Sequence, residues 1–260
     1  MYYIELLAEA HRRLSPATYL EIGVRDGRSL ALARTRSVAI DPDFAIKAEL
    51  NCDVTLFRTT SDEYFARPDP LAPTDGRPFE LAFIDGLHLF EYVLRDFINA
   101  ERHASPRGVI FFDDILPRTV DEAARRKHTL AWTGDVYPIV EVLTRYRPDL
   151  TVLPIDVRPT GLLLVTGLDP TSTTLLEHYD EIVAEYVHPD PQPVPDQLLD
   201  RLATVDPDRV LASSLWEILA GASPEDGPAE VRSRLAAALG SELGAAWGLR
   251  PAAAAATAGG

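Results

Sequence analysis

The chain has 260 residues, a formal net charge of −15 and one cysteine, Cys52. This length fits one main domain with an extension. The acidic excess argues against a nucleic-acid partner, because phosphate binding depends on clusters of Lys and Arg. A single cysteine forms no intramolecular disulfide, and no apolar run reaches the roughly 18 residues of a membrane span. We therefore expect a cytoplasmic protein with a small-molecule substrate and neither a nucleic-acid nor a membrane partner.

The first part of the chain alternates short apolar runs with helical patterns. Residues 3–14 carry apolar side chains at helical spacing and predict a leading amphipathic helix. The runs that follow are, in order, ATYLEIG, SLALART, SVAID, FAIKAEL, DVTLFRTT and SDEYFA. Taken alternately as strands and helices, they form a βαβαβ pattern.

The same alternation continues after a proline-containing loop. FELAFID predicts a buried strand, LFEYVLRDFINAERHA a helix, RGVIFFDD a strand and VYPIVEVLTRY a helix. Continuous apolar runs are typical of strands buried on both faces of a parallel sheet. LTVLPIDV and GLLLVTGL are separated by a short turn and predict a closing hairpin. We expect an α/β fold with a doubly wound, mostly parallel sheet.

The pattern changes from about Thr171. TTLLEHYDEIVAEYV predicts a helix, a proline-rich break follows, and the stretch from Leu198 to Trp247 has Leu and Ala at helical spacing. We divide the chain into a main domain with its leading helix at 1–188, a C-terminal helical extension at 189–250 and a disordered tail at 251–260. The extension could pack on the core, form a lid or join copies of the chain into a homo-oligomer.

The first predicted strand ends in a glycine turn, GVRDGRS. Gly23 and Gly27 would let the backbone bend sharply and let a ligand approach, and Ser29 would cap the helix that follows. A dinucleotide site needs the pattern Gly-x-Gly-x-x-Gly, which this turn lacks. The turn therefore counts against an NAD-dependent oxidoreductase, which is the main alternative of the same fold type.

Two acidic residues accompany this turn. Glu21 ends the apolar run and suits a ligand group that is cationic rather than phosphorylated. Asp41 follows the next strand, where an acid can accept the hydroxyl protons of a ribose. Together they predict a site for an adenosine that carries a positive group. The alternative is a tight turn without a ligand, with Asp41 capping a helix that begins after Pro42.

A second group of polar residues follows the two later strands. Asp85, Asp113 and Asp114 would meet at one sheet edge, and three oxygen ligands with room for water describe a Mg²⁺ site. Such an ion would lower the pKa of a substrate hydroxyl. His88 is a natural acceptor for that proton. The alternatives are that His88 fixes its turn and that the paired acids cap a helix.

The stretch YLEIGVRDGRS resembles the first motif of class I S-adenosylmethionine-dependent methyltransferases, an acid followed by Gly-x-x-x-Gly. The resemblance covers about Leu14 to Leu168 and implies a Rossmann-like, seven-stranded sheet with an antiparallel last strand. It implies that the methionine and ribose parts of the donor lie near the first turn. It also implies that the ribose contacts the acid after the second strand and that the adenine lies beside the residues after the third strand. With their neighbours in the site, the donor-binding candidates are Glu21, Gly23, Gly27, Ser29, Asp41, Ser61, Asp62 and Asp85.

The segment IDGLH and the paired acids after the next strand resemble a narrower group, the metal-dependent O-methyltransferases that act on sugars of macrolides and related natural products. The metal ligands implied by this resemblance are Asp85, Asp113 and Asp114. His88 matches the base that part of the group uses. The chain departs from the group at Leu87, where some members carry an aspartate as the proposed base, and at Phe90, where tyrosine is common.

The acceptor would enter over the loop from Leu116 to Tyr137. Aromatic planes with nearby hydrogen-bonding groups suit sugars and phenols. The candidates for acceptor binding are Arg118, His128, Trp132, Asp135 and Tyr137. Alternatively, Trp132 and Tyr137 pack into the core. The basic run at 125–127 is expected to be a solvated helix face.

The sequence thus predicts an S-adenosylmethionine-dependent O-methyltransferase, assisted by Mg²⁺, that methylates a hydroxyl of a small glycosylated or polyketide-type metabolite. The alternatives are an NAD-dependent oxidoreductase, a non-catalytic methyltransferase-like binding subunit, and metal-independent methyl transfer to nitrogen or carboxylate. Three clustered acids argue against the non-catalytic subunit, because an idle site has no physical need for them.

Overall fold

A seven-stranded sheet in the order β3-β2-β1-β4-β5-β7-β6 forms the centre of the protein. The computed structural model describes residues 1–223 and 225–243, so Trp247 and the predicted tail lie outside the described residues. The strands are β1 (Thr18–Ile22), β2 (Arg36–Ile40), β3 (Val54–Phe57), β4 (Phe79–Ile84), β5 (Ala104–Asp113), β6 (Thr151–Ile155) and β7 (Leu162–Thr166). Neighbouring strands are parallel except for β7, which is antiparallel to β5 and β6. The doubly wound, mostly parallel sheet and its closing hairpin are confirmed.

The strand order reverses between β1 and β4. The chain moves outward from β1 to β2 and β3, then returns to place β4 on the other side of β1. Every residue of β1 is buried, as expected for a strand covered on both faces. In such a sheet, ligands bind beyond the carboxyl ends of the strands at the point of reversal. The crevice to inspect is therefore the one above β1 and β4.

Helices cover both faces of the sheet. They are α1 (Tyr3–Leu14), α2 (Ser61–Phe65), α3 (Phe90–Arg102), α4 (Pro138–Tyr146), α5 (Thr174–Glu177), α6 (Tyr179–Tyr186), α7 (Asp196–Leu199), α8 (Pro207–Ala212), α9 (Leu215–Ala220) and α10 (Pro228–Glu242). The helix expected over TTLLEHYDEIVAEYV is divided into α5 and α6. No helix in the described part of the chain is both long and apolar enough to cross a lipid bilayer.

Two of the helices expected from the sequence are absent from the described structure. SLALART forms only a short 3₁₀ turn at Leu30–Leu32, and FAIKAEL is irregular. The cause lies in the hydrogen bonds of the backbone. Ala45 donates to the carbonyl of Arg25 at 2.7 Å, and Lys47 donates to that of Asp26 at 2.9 Å. The segment is therefore held against the glycine turn by bonds that a helix would have used internally.

The C-terminal helices pack on the core. Apolar side chains of α8, α9 and α10 join those of α1 in one buried cluster on one face of the sheet, while α3 and α4 belong to the cluster on the other face. Trp216 and Leu235 are buried there, whereas Leu202 is exposed. Of the three arrangements considered for the extension, the described residues form the first. The boundary at 188/189 stays a prediction.

The ends of β1 and β4 touch through Gly23. Its φ is +88°, and an added Cβ would overlap the carbonyl of Asp85. Gly76 also has a positive φ, +75°, but a Cβ there would meet nothing within 4 Å. These two glycines separate the cost of backbone conformation from the cost of the close approach.

We expect Gly76→Ala to lower the free energy of unfolding by about 1–2 kcal/mol, the cost of the left-handed conformation. Gly23→Ala should cost about 2–5 kcal/mol, because overpacking adds to that conformational cost. Urea denaturation of both variants checks this. Equal losses would mean that Gly23 is not required by the contact with Asp85.

Candidate active site

Acidic residues lie side by side at the carboxyl ends of β4 and β5. The register pairs Ile84 with Phe112, so that Asp85 and Asp113 follow at the same level of the sheet. Asp114 is the next residue and reverses the chain with a φ of +64°. The edge therefore carries three carboxylates on two neighbouring strand ends, as the sequence predicts.

His88 lies between two of these carboxylates. Its Nε2 is 3.2 Å from Oδ1 of Asp85, and its Nδ1 is 2.9 Å from Oδ2 of Asp114. The Nδ1 atom is buried and is not aligned for a hydrogen bond with any described residue. Candidate ligand atoms of Asp85, His88 and Asp114 all lie within 4.8 Å of one another. This geometry is that of a possible cation site with one nitrogen and two oxygen ligands.

Asp113 differs from the arrangement expected. Its Oδ1 accepts the amide hydrogen of Asp114 at 2.8 Å and lies 3.5 Å from the hydroxyl of Thr160. The compact group in the described structure thus contains His88 in the place expected for Asp113. The cause is the left-handed backbone at Asp114, which brings the second carboxylate of the pair towards the imidazole.

The cluster has an excess of negative charge. Burial and the charges of Asp114 and Asp85 raise the pKa of Asp113 well above its usual range. Burial also raises the pKa of Asp85. For His88, burial favours the neutral form, but the contacts with Asp114 and Asp85 outweigh it and raise the pKa to about 10. These carboxylates would be stabilised by a bound cation.

The loop that carries the acceptor candidates also holds His88. The imidazole stacks on Trp132 with 5.1 Å between ring centroids and 5° between planes. A Cβ at Gly134 would overlap the carbonyl of His88, so the two backbones pass in direct contact. His88 itself has a φ of +60°, which is uncommon outside glycine. The loop therefore fixes the position and the plane of the imidazole.

A buried ion pair fastens this loop to α3. Asp135 is completely buried, accepts the amide hydrogen of Phe90 at 3.1 Å and pairs with Arg125. Arg125 also binds Glu91. The expectation that Arg125 belongs to a solvated helix face is therefore wrong in this structure. Asp135 therefore holds the loop against the start of α3.

The other acceptor candidates are distributed between the core and the rim. Tyr137 is buried beside the start of α4. Arg118 is half exposed and binds Glu122, while His128 is exposed. Trp132 is half-buried, and its indole N–H donates to the carbonyl of Ala124 at 2.6 Å. The aromatic plane of Trp132 therefore lies beside His88, while the guanidinium of Arg118 is engaged by Glu122 on the same loop.

Asp41 and the glycine turn form one hydrogen-bonded unit. Oδ2 of Asp41 accepts the amide hydrogens of Val24 and Arg25, each at 2.8 Å, and Oδ1 accepts that of Asp43 at 2.6 Å. Gly27 has a φ of +81°, and an added Cβ would lie 3.1 Å from the side chain of Ile46. Asp41 keeps acceptor capacity on Oδ1, since a carboxylate oxygen can accept two hydrogen bonds.

Glu21 is buried and fully engaged. It accepts hydrogen bonds from the hydroxyls of Tyr19 at 2.7 Å and Ser29 at 2.8 Å. Ser29 therefore ties the turn to β1 and does not cap the short 3₁₀ turn as expected. Burial raises the pKa of Glu21 to about 8, although these two hydrogen bonds oppose the shift.

Ser61 and Asp62 begin α2, after β3. Asp62 is paired with Arg95 of α3, with contacts of 2.8 and 3.0 Å. The described structure thus joins the turn after β3 to α3. The structure places both residues on the same edge as Gly23 and Asp85, because all of these positions follow parallel strands.

Sequence analysis missed Tyr3 and Thr160 as neighbours of the acidic cluster. Burial and then the charges of Asp113 and Asp85 raise the pKa of the Tyr3 hydroxyl to about 12. Thr160 reaches Asp113 from the turn between β6 and β7. A tyrosine in an amphipathic helix and a threonine in a turn carry no local signal that distinguishes them. Their positions depend on the tertiary fold.

The sheet order, the glycine turn and the acid after β2 define a Rossmann-like nucleoside-binding fold, and the antiparallel β7 between β5 and β6 is the variant found in methyltransferases. Residues 20–115 match a family model described as a methyltransferase domain. This part of the chain, from β1 to the residues that follow β5, is thus similar to a methyltransferase domain.

Solved structures with low sequence identity resemble the chain. An O-methyltransferase from Bacillus cereus in complex with SAH is 16% identical, with 62% of this chain and 79% of that chain covered and a TM-score of 0.44. O-Methyltransferase TomG from Streptomyces achromogenes, involved in tomaymycin synthesis and bound to SAM, is 21% identical (63% and 78% covered, TM-score 0.44). SAH-bound methyltransferase PaMTH1 from Podospora anserina is 13% identical (63% and 76% covered, TM-score 0.45). A comparison with curated proteins found no match.

The burial of Glu21 predicts a stability that depends on pH. The folded state binds the Glu21 proton more tightly than the unfolded chain, because its pKa rises from 4.5 to about 8. The free energy of unfolding therefore falls as pH increases through this window. Glu21→Gln removes that ionisation, and its stability relative to wild type should rise by about 1.4 kcal/mol per pH unit within the window.

Urea denaturation without donor, from pH 5 to pH 8, measures this difference. The exposed Glu217→Gln is the matched control and should follow the wild-type slope. Parallel slopes for Glu21→Gln and wild type would show that Glu21 does not titrate in this range.

Proposed function

We propose that this protein is an O-methyltransferase that uses a divalent cation, Mg²⁺ in the first instance, to methylate a hydroxyl group of a small acceptor. The observation that carries the proposal is the position of His88, held between Asp85 and Asp114 on the strand end that touches the glycine turn. A proton acceptor and a candidate cation site thus adjoin the turn where a donor would bind.

The residues present fit a divalent cation. The Nδ1 atom of His88 is buried without an aligned hydrogen bond, and burial together with the charge of Asp114 raises the pKa values of Asp85 and Asp113. Asp85 and Asp114 would hold the ion. Asp113, next to them, would complete an oxygen-rich set suited to Mg²⁺, and His88 could serve as a nitrogen ligand for a softer ion.

The chain's own residues would prepare both reactants. When bound, the donor supplies an electrophilic methyl group, and the cation would lower the pKa of the acceptor hydroxyl. The Gly23 turn and Asp41 would hold the nucleoside. Because the charges of Asp114 and Asp85 raise the pKa of His88 to about 10, a cation held by these carboxylates would lower that pKa and free a ring nitrogen to accept the hydroxyl proton. Stacking on Trp132 would keep that nitrogen aligned. Asp113 and Thr160 would position the second strand end.

The rim of the site favours an acceptor with apolar and polar parts. Leu87 is 51% exposed and lies directly before His88, and Leu130 is fully exposed in the loop that carries Trp132. Exposed apolar side chains next to an aromatic plane provide contact area for a ring system. Arg118 adds a guanidinium on the same loop. A small glycosylated or polyketide-type metabolite has this combination of surfaces.

Calorimetric titration tests the donor class and the metal together. S-adenosylhomocysteine should bind to the purified protein and NAD should not, and this binding should survive chelation. Turnover with an acceptor should require Mg²⁺ and should be lost in Asp85→Asn, with donor affinity within a few-fold of wild type. Binding of NAD instead would overturn the proposal, and near-normal turnover of the variant in chelator would remove the metal from it.

His88→Ala tests the base. We expect turnover to fall by about 10²–10⁴-fold and its pH profile to change, since general-base catalysis contributes on that scale. The exposed His178→Ala is the matched control and should behave as wild type. If His88→Ala retains both turnover and pH profile, the role of His88 is to hold its loop.

A further inference from the structure

A cleft with a volume of about 540 Å³ opens at the edge of the sheet opposite to the candidate active site. Its walls come from the C-terminal half of α1 and from the segments that lead into β1 and β2, at residues 15–16 and 34–35. Because β1 and β2 are parallel, both strands begin at this edge, whereas Gly23 and Asp41 follow their ends at the other edge. The volume falls in the range of small-molecule sites, about 300–1,000 Å³. The cleft is therefore separate from the proposed donor site.

The charged side chains that line the cleft, Arg12 and Arg34, are basic, although the chain as a whole has a net charge of −15. Arg12 is paired with Glu9 through Nε and Nη2, and its Nη1 has no hydrogen-bond partner in the described part of the chain. Arg34 forms no ion pair with a described residue. Its Nη1 donates to the carbonyls of Ala31 at 2.6 Å and Ala33 at 2.8 Å, which leaves Nε and Nη2 without a described partner. Arg34 thus offers an anchored positive charge that no described acid balances.

A buried histidine without a hydrogen bond to its ring lines the same cleft. His11 is 9% exposed and packs edge-on against Tyr19, with 4.7 Å between the ring centroids. Neither of its ring nitrogens is hydrogen-bonded to a described residue. Burial and then the charge of Arg34 lower the pKa of His11 to about 4, so that at neutral pH the ring is uncharged and carries one N–H donor. Since buried polar groups are normally hydrogen-bonded, this N–H requires a partner, and a ligand in the cleft would provide one.

We propose that this cleft is a second binding site, which takes a small organic phosphate. Three separate side chains with available N–H donors line it, namely Arg12, Arg34 and His11. A phosphate monoester has three terminal oxygens that accept hydrogen bonds strongly, whereas a carboxylate has two. Guanidinium groups also bind phosphate in a bidentate geometry. The donor set therefore matches a phosphate better than a carboxylate.

The rest of the wall suits an organic group attached to the phosphate. Ala8, Pro16 and Leu32 contribute apolar surface. A phosphate group alone would fill only a small part of the volume, and small-molecule sites typically combine apolar walls with a few polar groups that fix orientation. The ligand therefore carries an apolar part, such as a ring. Because the cleft lies at the opposite edge of the sheet, this inference does not depend on the proposed methyl transfer.

Calorimetric titration of the full chain with phenyl phosphate tests the site, in the presence of a chelator so that no metal ion at the acidic cluster holds the phosphate. Wild type should bind phenyl phosphate about 10-fold more tightly than phenol, benzoate or inorganic phosphate, since each of these lacks part of the matching contacts. Arg34→Ala should weaken binding by about 10-fold or more, the scale of a lost hydrogen bond to a charged group. The exposed Arg77→Ala, outside the cleft, is the matched control and should keep the wild-type affinity.

His11→Phe keeps an aromatic ring against Tyr19 but removes the N–H donor, and it should also weaken binding by about 10-fold. Equal affinities of wild type for phenyl phosphate and phenol would overturn the inference, and equal affinities for phenyl phosphate and benzoate would overturn the assignment to phosphate. If Arg34→Ala binds as tightly as Arg77→Ala, the phosphate is not held in this cleft. Because Arg34 is exposed, its variant decides the matter even if His11→Phe does not fold.

Discussion

The backbone of Gly23 lies against the backbone of Asp85, and the arrangement of the site depends on this contact. On one side, Gly23 donates to the carbonyl of Ile40 at 2.9 Å, and on the other, Asp85 donates to that of Ile22 at 2.8 Å. The ladders of β2, β1 and β4 thus continue past the strand ends. Because no side chain separates Gly23 from Asp85, the glycine turn and the acidic cluster share one rigid frame, which is the support that a preorganised site requires.

The buried acids determine which ligands this edge of the sheet would favour. Four acids along the edge, Glu21, Asp85, Asp96 and Asp113, have pKa values raised first of all by burial. Each would lose less free energy on ionisation if a positive or hydrogen-bond-donating group lay beside it. A sulfonium donor, a divalent cation and an amino group are ligands of this kind. The acidic edge would therefore favour a cationic ligand.

The sheet could be predicted from the sequence because its strands are buried on both faces, which forces continuous apolar runs such as those of β1 and β4. The failed helices had apolar residues at helical spacing as well. The backbone of the FAIKAEL segment, however, bonds to Arg25 and Asp26, and such distant partners leave no trace in a local pattern.

The same distinction applies to the site. The meeting of Asp85 with Asp113 follows from the parallel register alone. The insertion of His88 could not be predicted, because it requires left-handed backbone at His88 and Asp114, and non-glycine residues adopt it rarely. Nor does the sequence reveal that Arg125 turns inward, since its partner Asp135 belongs to a loop without regular structure.

The two left-handed residues, His88 and Asp114, lie close to the start of α3 at Phe90. Backbone conformations of this kind cost about 1–3 kcal/mol each and persist where the surroundings enforce them. Here the Asp135 carboxylate fixes the amide of Phe90, and Gly134 and Trp132 press on His88. Helix α3 therefore begins at a fixed point beside the proposed reacting atoms.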